Sequence, residues 1–116
     1  MAVPRILLVD NSTMRSPFLL ELLQEAGRVV QFELGAEAMA AVKGGMGVDV
    51  AVLNYRLSLT PLIQAIRQQH PKAKIVAYGA PRADPPLGVD TYLSKPIIGT
   101  ELGMAVEKLL AKSGRH

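Results

Sequence analysis

The sequence predicts a small doubly wound α/β domain, with a parallel β-sheet covered by helices on both faces. Short continuous apolar runs, such as residues 4–9 and 48–53, are typical of strands that are buried on both sides. Segments with apolar residues at helical spacing separate these runs along the chain. Strands that alternate with helices in this way form parallel sheets with right-handed crossovers.

Five segments have the character of strands, and the second of them has the weakest pattern. They cover residues 4–9, 29–32, 48–53, 74–78 and 91–94. The first is followed by Asp10 and Asn11, and the third by Asn54. The fourth is followed by Gly79 and the fifth by Lys95. Because ligands bind outside the carboxyl ends of the strands in doubly wound domains, these five residues are the candidate functional positions.

Four segments are predicted to be helical. The first covers residues 14–26, where Pro17 either distorts the first turn or lies at the first helical position. An alanine-rich helix follows at residues 36–43, and a third helix covers residues 59–67. The last begins at Thr100, a residue type that caps helices. Its apolar stripe consists of Leu102, Val106, Leu109 and Leu110.

The stretch between the fourth and fifth strands is predicted to be a loop. Residues 80–88 contain three prolines and a glycine. Each proline removes a backbone donor and clashes with the preceding helical turn, so a regular helix is not expected there. Asp49 and Asp90 each precede a strand and are predicted to be turn residues.

The length and composition of the chain exclude several classes of protein. The chain has 116 residues, and we expect residues 1–116 to form one domain, either a full gene product or the first part of a longer one. No cysteine is present, so disulfides and cysteine-ligated metals are excluded and a cytoplasmic location is expected. No apolar run approaches the ~18 residues of a membrane span. The net charge of +3 is spread without a basic run, so nucleic acid is not an indicated partner.

Three segments together carry a resemblance to a known family. Residues 6–15 read ILLVDNSTMR, residues 49–54 read DVAVLN and residues 92–97 read YLSKPI. In this order and spacing they resemble the phosphoacceptor receiver domains of two-component response regulators, over nearly the whole chain. The resemblance implies a five-stranded sheet of order 2-1-3-4-5 with receiver (flavodoxin-like) topology, here with the fourth helix shortened or missing. The alternative is another doubly wound fold, such as a nucleotide-binding module.

The departures from the family pattern concern its phosphorylation site. In the family, two adjacent acids hold a divalent cation, an aspartate accepts the phosphoryl group, a Ser or Thr contacts it, and a lysine pairs with it. Asn11 stands at the second acid, Asn54 at the acceptor and Gly79 at the hydroxyl, while Asp10 and Lys95 match the pattern. A carboxamide is not a nucleophile toward a phosphoryl donor. The resemblance therefore implies a degenerate phosphoacceptor site with no catalytic residue, no metal and no cofactor.

The remaining polar residues also have structural interpretations. Lys95 is expected to pair with Asp10 and to donate to the amide oxygen of Asn54, as a polar cluster. Tyr92 stands at the switch-aromatic position of the family. Since Gly79 offers no hydroxyl whose movement could open a pocket, fixed packing of Tyr92 is expected rather than rotamer switching.

These observations predict a pseudo-receiver: a phosphorylation-independent protein-interaction module in bacterial signalling or cell organisation, and not an enzyme. The alternative is a small-molecule or anion sensor that uses the vacated acidic pocket. The missing helix predicts a less covered sheet edge, and Leu87, Tyr92 and Leu93 are the candidate docking residues there. The expected partner is a protein of unknown identity, with a homodimer left open.

Overall fold

Five short segments form the parallel sheet that the sequence predicts. They are β1 (Arg5–Val9), β2 (Arg28–Phe32), β3 (Val50–Asn54), β4 (Lys74–Gly79) and β5 (Thr91–Ser94). Their order in the sheet is β2-β1-β3-β4-β5, and every neighbouring pair is parallel. This order confirms the predicted doubly wound fold of receiver topology. The computed structural model describes residues 3–9, 21, 23–25, 27–55, 59–79, 84, 86–94, 104 and 108.

The central strands are buried on both faces, as their continuous apolar runs indicate. All five residues of β3 are buried, and so are the last four of β1. Alternate residues contribute to two separate clusters: Leu7 and Ala51 pack on one face of the sheet, and Leu8 and Val52 pack on the other. Successive side chains of a strand point to opposite faces, so an uninterrupted apolar run is what a strand between two helical layers requires.

Helices cover both faces. The helices Gly35–Lys43 and Thr60–Gln69 pack on the Leu7 face, to which they contribute Val42 and Ile66. The other face is covered by Leu23, which is helical together with Glu21, Gln24 and Glu25. Met104 and Lys108 are helical as well. The remainder of the helices predicted at residues 14–26 and after Thr100 lies outside the described residues.

The third helix and the third strand differ most from their predicted boundaries. The third helix covers Thr60–Gln69, with Pro61 in its first turn, where the missing N–H of proline costs no helical hydrogen bond. Strand β3 begins at Val50, two residues after the predicted start, and Asp49 just before it accepts the backbone N–H of Arg5 on its carboxylate.

No helix is present between β4 and β5 in the part of that connection that the structure describes, which comprises Asp84 and residues 86–90. The connection instead ends in a tight turn, in which the N–H of Val89 donates to the carbonyl of Pro86 at 3.2 Å. Gly88 has a φ of +86°, as the third residue of a type II turn requires. Within the described residues, no helix is long and apolar enough to cross a membrane.

Candidate functional site

Asn54 marks the carboxyl-terminal edge of the sheet. It is the last residue of β3, lies opposite Tyr78 in the register and is only 7% exposed. Because all the strands are parallel, the ends of β1, β4 and β5 meet the same edge. Among the described residues, no group of three or more His, Cys, Asp or Glu side chains could hold a metal ion.

Three of the predicted site residues lie outside the described residues. Asp10 and Asn11 follow Val9, the last residue of β1, and Lys95 follows Ser94, the last residue of β5. The polar cluster expected between Lys95, Asp10 and the Asn54 amide therefore stays a prediction.

Gly79 and Tyr92, predicted to be site residues from two separate strands, lie in contact. Tyr92 is half-buried in β5, and its hydroxyl oxygen lies 2.8 Å from the point that a Cβ at position 79 would occupy. The ring also meets Tyr55 edge-on, with ring centroids 6.4 Å apart and planes at 81°. Such edge-to-face pairs are favourable for aromatic rings at this distance. Tyr55 directly follows Asn54, so the aromatic pair lies beside the end of β3.

The three residues proposed for docking differ in their surroundings. Leu87 is 95% exposed at the tip of the turn before β5. Tyr92 and Leu93 are half-buried and pack on opposite faces of the sheet, Tyr92 with the Leu7 cluster and Leu93 with the Leu8 cluster. The exposed member of the proposed surface is therefore Leu87.

Arg67 is the residue that the sequence analysis missed. Its guanidinium donates from Nε and Nη2 to the carbonyl of Gly88 at 3.0 and 2.6 Å, and from Nη1 to the carbonyl of Ala73 at 2.7 Å. Nη2 also pairs with the Asp90 carboxylate at 2.7 Å, and the same carboxylate oxygen accepts the N–H of Ile75 at 2.8 Å. Arg67 thus joins the third helix to Ala73, directly before β4, and to the turn and acid directly before β5.

Asp90 and Asp49, predicted to be turn residues, both anchor the amino-terminal ends of strands. The Asp49 carboxylate accepts the backbone N–H of Arg5 at 2.7 Å and pairs with the Arg5 Nε at 3.2 Å. Partial burial alone would raise the pKa of the Asp49 carboxyl, but hydrogen bonds from Arg5 and its positive charge outweigh burial and hold the pKa below its usual value. In the sequence, the signal for this anchoring role is that each acid stands directly before a strand.

An open pocket of about 350 Å³ lies at this amino-terminal edge, opposite to Asn54. It is lined by Arg5, Val48, Asp49, Gln69, His70, Pro71, Lys72 and Ala73. Arg5 is paired with Asp49, and the His70 Nε2 is hydrogen-bonded to the carbonyl of Met46 at 2.8 Å. Arg5, Asp49 and His70 are thus engaged in contacts that stabilise this edge of the sheet.

Comparison with known proteins identifies solved structures of similar fold. No protein-family model and no curated protein matches the sequence. Among solved structures, a response regulator receiver protein from Sinorhizobium medicae is similar at 24% identity and a TM-score of 0.79, covering 97% of this chain and 98% of that chain. A CheY-like receiver domain protein from Methanospirillum hungatei has 20% identity and a TM-score of 0.81, covering 97% of both chains.

Enzymes are a minority among the structural neighbours, which are mostly receiver domains of signalling proteins. An adenylate cyclase from Rhodopirellula baltica is also similar, at 23% identity and a TM-score of 0.77, covering 96% of this chain and 90% of that chain. The strand order, the parallel pairing and these neighbours together give one conclusion: this chain has the fold of response regulator receiver domains.

Proposed function

We propose that this domain is a pseudo-receiver, a protein-interaction module that works without phosphorylation. The observation that carries the proposal is the buried carboxamide of Asn54 at the end of the central strand β3. By the family resemblance, this is the position of the aspartate that accepts the phosphoryl group. An acyl phosphate requires a carboxylate nucleophile, and an amide does not supply one.

The same substitution weakens the case for a metal ion. Mg²⁺ is usually held by one or two carboxylates, with phosphate oxygens and water completing its shell. Asn54 and Asn11 are both amides, so Asp10 is the single carboxylate among the residues that match the family's site. A neutral amide oxygen repays less of the cost of dehydrating the ion, and we expect no specific magnesium binding.

The alternative function, a small-molecule or anion sensor, requires space at this edge of the sheet. The Tyr92 hydroxyl lies against Gly79, where the family has a hydroxyl-bearing side chain. The chain thus fills this space with its own aromatic residue. This contact favours the interaction module over the sensor.

Phosphorylation tests the proposal directly. Incubation of the domain with acetyl phosphate and Mg²⁺ is expected to give no mass increase of one phosphoryl group by intact-protein mass spectrometry. A receiver domain that retains its acceptor aspartate, treated in parallel, is the positive control. A stoichiometric adduct, stable to acid and labile to base, would show that the pseudo-receiver assignment is wrong.

Restoring the acceptor alone should also fail. Asn54→Asp leaves Asn11 at the second metal position and no hydroxyl at Gly79. The triple change Asn11→Asp, Asn54→Asp and Gly79→Thr supplies all three groups. Because a Cβ at position 79 would lie 2.8 Å from the Tyr92 hydroxyl, the end of this side chain must shift to accept the threonine, and Tyr92→Phe removes the conflict.

We further propose that Leu87 is the central contact of the docking surface. It is 95% exposed, whereas the preceding Pro86 is buried and the carbonyl of the following Gly88 is hydrogen-bonded to Arg67. A leucine at the tip of an ordered turn loses little conformational freedom when it enters an apolar pocket of a partner. Exposed leucines are common on their own, so the ordered turn is the distinguishing feature.

Leu87→Glu is expected to reduce the affinity for the partner at least tenfold, because a charge buried at the centre of an interface lowers the binding free energy by at least about 1.4 kcal/mol. The stability of the domain should not change, since Leu87 is exposed. Binding is measured with a partner isolated by affinity capture, by titration against the wild type and the variant. Val3→Glu, at another exposed apolar position, is the matched control and should bind as the wild type does. Equal affinity of Leu87→Glu and wild type would remove Leu87 from the surface.

A further inference from the structure

Two cations at the amino-terminal edge of the sheet have no acidic partner among the described residues. Arg28 begins β2, Lys72 lies in the turn between the third helix and β4, and both are exposed. Arg5 lies at the same edge, but its charge is balanced by that of Asp49. Folding thus brings together cations that are scattered along the sequence, and leaves unbalanced positive charge at this edge.

Arg5 and Arg28 stand side by side in neighbouring strands. They are register partners of β1 and β2, so their side chains lie on the same face of the sheet. Like charges held side by side on one face of a sheet are destabilising. Among the described acids, only Asp49 contacts this pair, and it binds Arg5 through both carboxylate oxygens, at 3.2 and 3.5 Å. A second carboxylate, supplied by a ligand, would relieve the repulsion.

The open pocket of about 350 Å³ adjoins these cations. Both Arg5 and Lys72 line it, and Asp49 is the single acid among its lining residues within the described part of the chain. Since Asp49 is paired with Arg5, the ammonium group of Lys72 gives the pocket a net positive charge. A cleft with charge of one sign attracts ligands of the opposite sign. The pocket is therefore suited to an anionic group.

The pocket lies beside the turn that carries Leu87. Arg67 connects the two, because its guanidinium donates to the carbonyl of Ala73, in the pocket wall, at 2.7 Å and to that of Gly88 at 2.6 Å. Two carbonyls that share one planar guanidinium lie close together. The exposed leucine and the positively charged pocket thus belong to one surface.

We infer that this surface binds an acidic segment of a partner protein, with a carboxylate in the pocket and an apolar side chain on Leu87. The inference rests on the proposed interaction function and adds the chemistry of the partner. Carboxylates form the strongest hydrogen bonds with guanidinium and ammonium groups. Nucleic acid fits this surface less well, because the described residues that line the pocket include no Phe, Tyr or Trp on which a base could stack.

A synthetic peptide with a central leucine and four glutamates on each side is the probe. Fluorescence anisotropy should show that it binds, and its affinity should fall at least about fivefold between about 50 and 200 mM NaCl, because salt screens exposed charges. Amide NMR spectra should show shifts at Lys72 and Leu87 on addition of the peptide. The same peptide with glutamines in place of the glutamates should not bind.

Variants of the two unbalanced cations assign the effect to this edge. Lys72→Gln and Arg28→Gln should each weaken binding of the acidic peptide at least about threefold. Arg28→Gln should leave the stability of the domain unchanged or higher, since its repulsion with Arg5 is removed, which distinguishes a binding role from a structural one. Gln64→Glu, at an exposed position of the third helix, changes the net charge equally and should bind as the wild type does.

Three results would overturn the inference: no binding of the acidic peptide, unchanged affinity in both Lys72→Gln and Arg28→Gln, or an equal loss in Gln64→Glu. Tighter binding of a thymidine oligonucleotide of the same charge would also overturn it, in favour of nucleic acid. The phosphorylation test decides the pseudo-receiver proposal separately. A domain that takes up no phosphoryl group and does not bind the peptide would refute the acidic partner alone.

Discussion

Arg67→Ala is expected to lower the free energy of unfolding by about 2–3 kcal/mol. The guanidinium of Arg67 satisfies the carbonyls of Gly88 and Ala73 and pairs with Asp90. Its removal leaves two backbone acceptors without this donor, and water can replace it only in part because the site is partly buried. Urea denaturation of wild type and variant gives the difference directly.

Matched variants separate this effect from general damage to the helix. Gln68→Ala, at an exposed position of the same helix, should change stability by less than about 0.5 kcal/mol. Arg67→Lys should recover part of the loss, because an ammonium can pair with Asp90 but cannot also reach both carbonyls in the geometry of the planar guanidinium. Arg67→Ala within about 0.5 kcal/mol of the wild type would contradict a structural role for these contacts.

Gly88→Ala is expected to cost about 2–3 kcal/mol, from the sum of two effects. Gly88 has a φ of +86°, which an L-residue with a side chain adopts only with strain. Its added Cβ would also lie 2.8 Å from the Cγ2 of Ile63, a buried branched side chain with little freedom to move. The turn that carries Leu87 would shift in response.

Gly45→Ala isolates the first of these effects. Gly45 has a φ of +108°, and nothing lies within 4 Å of the point where its Cβ would be. The free energy of unfolding of this variant should therefore fall only by the strain of placing a side chain at positive φ, about 1 kcal/mol. Thermal or urea unfolding of the two variants side by side gives the comparison. Equal losses at Gly45 and Gly88 would mean that the contact with Ile63 contributes nothing.

The two largest predicted effects concern the same connection between β4 and β5, whose last residues Arg67 binds. Arg67 binds the Gly88 carbonyl, and Gly88 packs on Ile63 of the same helix as Arg67. The losses in Arg67→Ala and Gly88→Ala should thus be less than additive when combined, since either change already loosens the turn.

Local sequence patterns determined the sheet and the chemical nature of its carboxyl edge. The unbroken apolar runs of β1 and β3 predict strands buried on both faces, because alternate side chains of a strand point to opposite sides. The three prolines within residues 80–88 predict a connection without a regular helix for an equally local reason. The amide at Asn54 and the missing side chain at Gly79 can be read directly from the sequence.

Only the tertiary structure decided which of these residues touch. Arg67 and Gly88 are 21 residues apart, and their contact depends on how a proline-containing loop returns to the sheet. Gly79 and Tyr92 meet because the β4–β5 register pairs Ala77 with Tyr92, which places the aromatic ring beside the end of β4. Periodicity reports the face on which a side chain lies, but not the partner it meets there. The partner of a side chain depends on chain connectivity and on the space left by the other side chains packed on the sheet.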